Sequence, residues 1–131
     1  MLENIWNVIC KDVITDQQTN SVSYLNCLEE VILPKIPLAL PSFNIGTLWQ
    51  NKSDAPEIIK VKIDIKTPSG NRKTLLETDD INFLKKRHRI NFLFPGIEAT
   101  EYGLHEFYIG LFYDGEWTDH KVIPLYVSQP K

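Results

Sequence analysis

The ten residues from Glu57 to Lys66 constrain the fold more than any other part of the sequence. Four apolar residues alternate there with four polar ones: Ile59, Val61, Ile63 and Ile65 with Lys60, Lys62, Asp64 and Lys66. An α-helix would distribute these apolar side chains around its circumference, whereas an extended strand places all four on one face. The segment therefore predicts a β-strand with one buried face and one face in water.

Similar short segments, joined by turns, make up most of the remaining chain. Further strands are predicted over residues 5–15, 21–27, 42–50, 72–78, 103–113 and 117–128, with another inside residues 83–94. Proline and glycine mark a turn at residues 68–71, and Asp114–Gly115 is typical of a short hairpin loop. Residues 28–40 are expected to be irregular, because their prolines remove backbone donors.

These segments favour an all-β fold, and the composition agrees. Isoleucine occurs 15 times and alanine three times, which favours strands over helices. A chain of 131 residues is the size of one domain. We therefore predict one all-β domain over residues 1–131, a single antiparallel β-sandwich of about seven or eight strands. A small β-barrel is the alternative.

The last hairpin contains a conflict between its two hydrophobic patterns. The apolar residues that alternate along its two strands are Phe107, Ile109 and Leu111 in the first, and Ile123, Leu125 and Val127 in the second. A two-residue loop puts these sets on opposite faces, because a one-residue change of register reverses every side chain. Either the loop has three residues, or a β-bulge near Asp119–His120 supplies the extra residue.

The first strand of that hairpin also carries aromatic residues on its second face. Tyr108 and Phe112 alternate with the inward residues, with Gly110 between them. Either residues 28–40 cover this face, or it is exposed and meets a partner, since large exposed apolar patches mark interaction sites. The candidate binding residues are these two aromatic residues and two tryptophans: Tyr108, Phe112, Trp117 and Trp49.

Two cysteines fall at matching positions of the first hairpin. If the hairpin turns between Gln18 and Thr19, Cys10 lies opposite Cys27. A disulfide is geometrically possible at such a position, but two buried, reduced thiols are the favoured interpretation. The spacing of the cysteines matches no zinc or redox motif.

Charge and hydropathy exclude several classes of partner. The chain has 14 basic and 17 acidic residues, whereas a protein that binds duplex nucleic acid is usually strongly basic. The first residues lack the basic and apolar regions of a signal peptide, and no apolar run is long enough to cross a membrane. We therefore expect a cytoplasmic protein with no membrane and no duplex nucleic-acid partner.

One cluster of cations stands out, at residues 85–89. In a strand, alternate residues share a face, which puts Lys85, Arg87 and Arg89 together. We expect a solvated surface whose charge is balanced by the two aspartates at residues 79–80. Binding of an anionic partner is the alternative.

The sequence contains no recognisable catalytic or cofactor-binding motif. The histidines are isolated, and a neighbouring carboxylate such as Glu106 lies on the opposite face of the strand from His105. No loop carries the aspartate series of a calcium site, and no glycine-rich phosphate loop occurs. We predict no cofactor, no metal and no enzymatic activity. The alternative is a small hydrolase with a histidine–glutamate site at His105 or His120.

Several features are spread over nearly the whole chain. They are an N-terminal strand running into residues 10–13, the strand start at 23–25, the proline-containing residues 33–40, Trp49 near a strand end, and the final hairpin from Asp114–Gly115 to 125–127. Together they resemble a family of short, uncharacterised bacterial proteins with an Ig-like or C2-like β-sandwich. The resemblance implies a fold and no activity.

Because no catalytic pattern is present, the sequence predicts a non-catalytic binding module. The favoured use is interaction with a partner protein or self-association. The alternative is a carbohydrate-binding module in which Trp49, Trp117 or Tyr108 stacks on a sugar ring.

Overall fold

The computed structural model describes residues 2–131, which contain twelve β-strands. Met1 lies outside the described residues. The strands are β1 (Leu2–Thr15), β2 (Val22–Cys27), β3 (Glu30–Ile32), β4 (Leu38–Ala39), β5 (Phe43–Asn51), β6 (Glu57–Lys66), β7 (Arg72–Glu77), β8 (Ile81–Phe83), β9 (Arg87–Phe94), β10 (Glu98–Ala99), β11 (Gly103–Tyr113) and β12 (Glu116–Ser128). Eight of them have six residues or more, which matches the predicted number. Residues 2–131 contain no helix with the length and apolarity needed to cross a bilayer.

Two sheets pack face to face and form a β-sandwich. The first sheet has the strand order β2-β1-β5-β9, and the second has the order β3-β12-β11-β6-β7, with β8 paired to β6. The short strands β4 and β10 pair with each other. The chain crosses between the two sheets five times, which are between β2 and β3, between β3 and β5, between β5 and β6, between β8 and β9, and between β9 and β11. Neither sheet closes on itself, so the sandwich is confirmed and the barrel alternative is wrong.

The alternating residues identified in the sequence form the layer between the sheets. Strand β6 spans Glu57–Lys66 as predicted, and its four apolar alternating residues are buried. Phe43 of β5 meets Phe107 of β11 across the layer, with ring centroids 5.7 Å apart. Trp49 of β5 packs against Phe83 of β8 at 6.5 Å. Each large apolar side chain buried in this way stabilises the fold by roughly 1.5–3 kcal/mol.

A β-bulge removes the conflict in the last hairpin. The loop has two residues, yet Ile109 pairs with Lys121 while Gly110 pairs with Asp119. His120 is therefore the extra residue, at the predicted position. The bulge turns the apolar residues of β11 and β12 to the same side, so the bulge prediction is confirmed and the three-residue loop is wrong.

Residues 28–40 contain β3, at the edge of the second sheet, and β4, which pairs with β10. Strand β3 pairs with β12 in parallel, from Glu30 opposite Tyr126 to Ile32 opposite Ser128. Because β3 continues the sheet sideways, it does not lie over the outer face of β11. The expectation that this segment covers the aromatic residues of β11 is therefore wrong.

The first hairpin has the register expected from its turn. Cys10 pairs with Cys27 in the ladder between β1 and β2. Both thiols are free, but only Cys10 is buried. Cys27 is exposed because β2 is an edge strand, so the expectation of two buried thiols is wrong for this residue.

The same hairpin places an aromatic ring over the outer face of the first sheet. Tyr24 of β2 packs edge-on against Trp6, with ring centroids 5.2 Å apart, and its hydroxyl donates to Asn91 Oδ1 at 2.9 Å. The ring lies over Gly46 of β5, where an added Cβ atom would overlap Tyr24 Cε1. Gly46 therefore leaves the space that the ring occupies.

We expect Gly46→Ala to destabilise the protein by about 1–3 kcal/mol, because the added methyl group must displace the Tyr24 ring. Urea unfolding measures the loss. In a Tyr24→Ala background, the same substitution is expected to cost much less, since the ring is gone. An equal cost in both backgrounds would contradict this packing.

Candidate binding face

The outer face of the second sheet presents three aromatic rings. Tyr108 and Phe112 of β11 point outward, because the alternate residues Ile109 and Leu111 are buried. Trp117 of β12 pairs with Phe112, and the two rings meet edge to face at 5.2 Å. All three rings are half-buried. The structure thus brings together three of the four predicted binding residues.

Cationic side chains from β6 and β7 lie over these rings. The distances from cationic group to ring centroid are 4.0 Å for Arg72 on Tyr108, 4.6 Å for Lys62 on Trp117 and 5.9 Å for Lys60 on Phe112. Each such contact stabilises an exposed site by about 0.5–1 kcal/mol. We call these three cations and three rings the cation–aromatic face.

Arg72 connects all four strands of this face. From β7, its Nε donates to Asp64 Oδ2 of β6 at 2.9 Å, and its Nη2 donates to Asp119 Oδ1 of β12 at 2.9 Å. The hydroxyl of Thr74 donates to the second oxygen of Asp64 at 2.7 Å. Hydrogen bonding to Asp119 is the main reason that the pKa of Arg72 is raised. With Tyr108 of β11 against its planar group, the guanidinium is held in one orientation.

Gly110 leaves space for the side chain of Lys62 to extend across the outer surface of strand β11. The register of β6 and β11 pairs Lys62 with Gly110. A Cβ atom at Gly110 would lie 3.2 Å from Lys62 Cγ and 3.3 Å from its Cε. The alkyl stem of Lys62 therefore fills the gap at Gly110 and extends over β11 toward Trp117 of β12.

The sequence pattern identifies the rings of this face but not its cations. From the sequence alone, solvated positions on the polar sides of their strands are expected for Lys60, Lys62 and Arg72. Only the pairing of β6 with β11 and β7 places them beside the rings. The available signal is a strand that alternates lysine with apolar residues, combined with one that alternates aromatic with apolar residues.

Trp49 lies between the sheets and is not a surface ring. It is 0% exposed, and its Nε1 donates to Thr47 Oγ1 at 2.8 Å. The alternation of β5 turns both side chains toward the second sheet. The prediction of Trp49 as an exposed binding residue is therefore wrong.

The cationic run at residues 85–89 lines a separate groove beside β9. The groove has a volume of about 420 Å³ and is lined by Lys85, Arg87, His88 and Arg89 together with Leu48, Asn82 and Leu84. Lys86 does not line it and forms an ion pair with Asp54 at 3.0 Å. Within residues 2–131, no ion pair joins the run to Asp79 or Asp80, so the expected source of charge balance is wrong.

The three histidines belong to three different strands. His105 is buried, and its Nδ1 lies 3.1 Å from a backbone carbonyl oxygen. His88 stacks on Phe83 at 4.6 Å, and His120 meets the edge of Trp49 at 5.7 Å. Burial lowers the pKa of both His88 and His120. In the described part of the chain, no group of three or more histidine, cysteine, aspartate or glutamate side chains is arranged to hold a metal ion.

Solved structures share this fold at low sequence identity. The beta-glucosidase from Listeria innocua in complex with glucose matches with a TM-score of 0.55 and 13% identity, over 77% of this chain and 15% of that chain. The same enzyme in complex with isofagomine matches with a TM-score of 0.52 and 14% identity, over 98% of this chain and 16% of that chain. This chain therefore spans 15–16% of the length of these structures, and the similarity shows the fold alone. No protein-family model and no curated protein matches the sequence.

We expect Arg72→Met to destabilise the protein by about 1.5–3 kcal/mol, as measured by urea unfolding. The substitution removes the cation from Asp64, whose side chain is only 7% exposed. Arg72→Lys is expected to recover part of the loss, because it restores the charge but not the planar fork. Asp119→Asn, at the more exposed partner, is expected to cost under about 1 kcal/mol. A cost for Arg72→Met no larger than that of Asp119→Asn would contradict the role given to the contact with the buried Asp64.

We expect the free energy of unfolding to fall as the pH drops below the ordinary histidine pKa of 6.5. The folded-state pKa values of His88 and His120 are lowered, so the unfolded chain takes up more protons at these positions. Their contribution is complete above the unfolded pKa and is lost as the pH falls toward the folded pKa. Urea unfolding between about pH 7 and pH 5 measures the slope. The double variant His88→Gln/His120→Gln is expected to flatten it, and an unchanged slope would contradict the assignment.

Proposed function

We propose that the protein is a non-catalytic binding module that holds a partner protein on its cation–aromatic face. The main support is the row formed by Tyr108, Phe112 and Trp117 with Arg72 stacked at one end. Tyrosine, tryptophan and arginine are enriched among the few residues that contribute most of the binding energy in protein interfaces. The absence of catalytic activity and the cytoplasmic location stay predictions from the sequence.

The side chains of the cation–aromatic face are already held in place, which supports its proposed function as a protein-binding surface. Arg72 is already held by two carboxylates and a ring, and Lys62 is packed along Gly110. Side chains that are ordered before binding lose little rotamer freedom when a partner arrives. The face therefore offers contact area at a low entropic cost.

The charges of the face indicate the chemistry of the partner. Lys60 and Lys62 form no ion pair within residues 2–131, whereas Arg72 is satisfied by Asp64 and Asp119. Next to the rings, β12 contributes further exposed apolar residues: Val122, which is 45% exposed, and Tyr126, which is 51% exposed. The complementary partner carries an apolar centre with carboxylates placed to meet the two lysines.

Carbohydrate binding has less support from the same geometry. A sugar stacks on an open ring, but Lys62, Arg72 and Lys60 each lie over a ring of this face. The glucose and isofagomine named for the beta-glucosidase belong to that enzyme, of which this chain spans a small part. Carbohydrate binding is therefore kept as the second candidate, tested by tryptophan fluorescence with soluble glycans.

Phe112→Asp tests the proposal directly. The half-buried ring lies at the centre of the face, so the carboxylate would disrupt contact with an acidic partner. The tagged protein is expressed in its own host, and proteins that co-purify in stoichiometric amounts are identified by mass spectrometry. We expect Phe112→Asp to lose the partner. Ile14→Asp, a matched apolar-to-acidic change at a residue that is 54% exposed on the first hairpin, is expected to keep it.

Circular dichroism checks that each variant is folded, and light scattering measures whether the protein is a monomer or a dimer. A partner that is retained by a folded Phe112→Asp variant would overturn the proposal, and so would a wild-type protein that is purified as a monomer without any partner. A dimer of this chain that Phe112→Asp dissociates would overturn the choice of a different protein as the occupant. Glycan-dependent fluorescence that is lost in Trp117→Phe would favour the second candidate.

A further inference from the structure

The basic groove beside β9 concentrates positive charge that the protein does not neutralise. Lys85, Arg87 and Arg89 line one concave space of about 420 Å³. None of the three forms an ion pair within residues 2–131. The neighbouring Lys86, which does not line the groove, is paired with Asp54. Charge balance is therefore missing from the groove in a chain that has more acidic than basic residues.

The geometry of strand β9 places the side chains of Arg87 and Arg89 on the same face of the sheet. Arg87 and Arg89 lie two residues apart on β9, so their side chains leave the sheet on one face, and both are exposed. In the β5 ladder they lie opposite Gln50 and Leu48, which bring no opposing charge. Three like charges that line one space raise the local potential and attract an anion. β9 is also the last strand of its sheet, so no further strand covers this side.

The rest of the lining narrows the class of anion. Planar guanidinium groups match the oxygens of a phosphoryl group, and three cations suit a dianion better than a single carboxylate. Asn82 adds an amide that can donate or accept a hydrogen bond. Leu48 and Leu84 provide an apolar wall, and Leu84 is 72% exposed. A groove lined by apolar side chains next to cationic ones suits an organic phosphate better than free phosphate.

We infer that the basic groove binds an organic phosphate monoester. The phosphoryl group lies among Lys85, Arg87 and Arg89, and the organic part contacts Leu84 and Leu48. The groove is lined by residues of β5, β8 and β9 and of the segment between β8 and β9, whereas the cation–aromatic face belongs to β6, β7, β11 and β12. This site is therefore independent of the proposed protein interface.

Titration of the ¹⁵N-labelled protein at low salt tests the inference, with chemical shifts followed by NMR. The probes are phenyl phosphate, inorganic phosphate and benzoate. We expect phenyl phosphate to shift the amides of residues 82–89 and to bind more tightly than inorganic phosphate, which lacks the apolar part. Benzoate, a monoanion with the same ring, is expected to bind most weakly. Added salt is expected to weaken the binding of phenyl phosphate.

Two double variants that lose the same charge distinguish binding in the groove from attraction by the net charge of the protein. Arg87→Gln/Arg89→Gln is expected to lower the affinity for phenyl phosphate by at least about tenfold, because two charge-assisted contacts are lost. Lys11→Gln/Lys35→Gln, at exposed positions outside the groove, is expected to change it by less than about twofold. Leu84→Ala is expected to weaken phenyl phosphate binding but not inorganic phosphate binding.

Three results would overturn the inference. The first is the absence of saturable shifts in residues 82–89 with phenyl phosphate. The second is an equal loss of affinity in the two double variants, which would mean that net charge alone attracts the anion. The third is equal affinity for benzoate and phenyl phosphate, which would remove the phosphoryl group from the proposal. Each variant is first checked for an unchanged spectrum away from the groove.

Discussion

The bulge at His120 is the constraint on which the second sheet depends. Without the extra residue, the apolar residues of β12 would face water whenever those of β11 face the core. With it, Phe107 and Leu125 both lie in the layer between the sheets. The residues before the bulge keep the opposite phase, so Trp117 lies beside Phe112 on the outside. One inserted residue thus brings the apolar residues of both strands into the core and leaves unchanged the Phe112–Trp117 pair on the loop side of the bulge.

On the outer face of that sheet, cationic side chains partly cover aromatic rings that would otherwise be exposed to water. Tyr108 and Phe112 would expose apolar area if their neighbours were small. Instead, Arg72 and the lysines of β6 lie over the rings and keep their charged ends in water. Such a face is ordered but still offers its apolar stems and ring edges to a partner. The cation–aromatic face and the basic groove use different strands, so the proposed protein and the proposed anion do not compete for the same residues.

Much of the fold follows from local patterns. The alternation at Glu57–Lys66 and the hairpin signal at Asp114–Gly115 both predict elements that the structure contains. The position of the bulge was also predictable, because two strong apolar patterns in one hairpin allow few registers. These features depend on residues that are close in sequence, and physical rules for strands and turns are strongest there.

The candidate site was predictable only in part, because it depends on which strands are neighbours. Tyr108, Phe112 and Trp117 share one hairpin, so their common face could be read from alternation. The contact of Arg72 with Tyr108 requires the order β12-β11-β6-β7, which no local pattern specifies. Trp49 shows the reverse error: its ring suggested a surface platform, but the alternation of β5 with Phe43 and Ile45 turns it into the core.

In the proposed function, another protein covers the cation–aromatic face in the cell. Site-specific photo-cross-linking detects such a partner at a chosen position of the chain. A photoreactive amino acid is placed at Val122, which is paired with Tyr108 on the outer face, and separately at Ile14 on the first hairpin. We expect a discrete cross-linked product from position 122 and none from position 14. A product from position 14 alone, or from neither position, would contradict it.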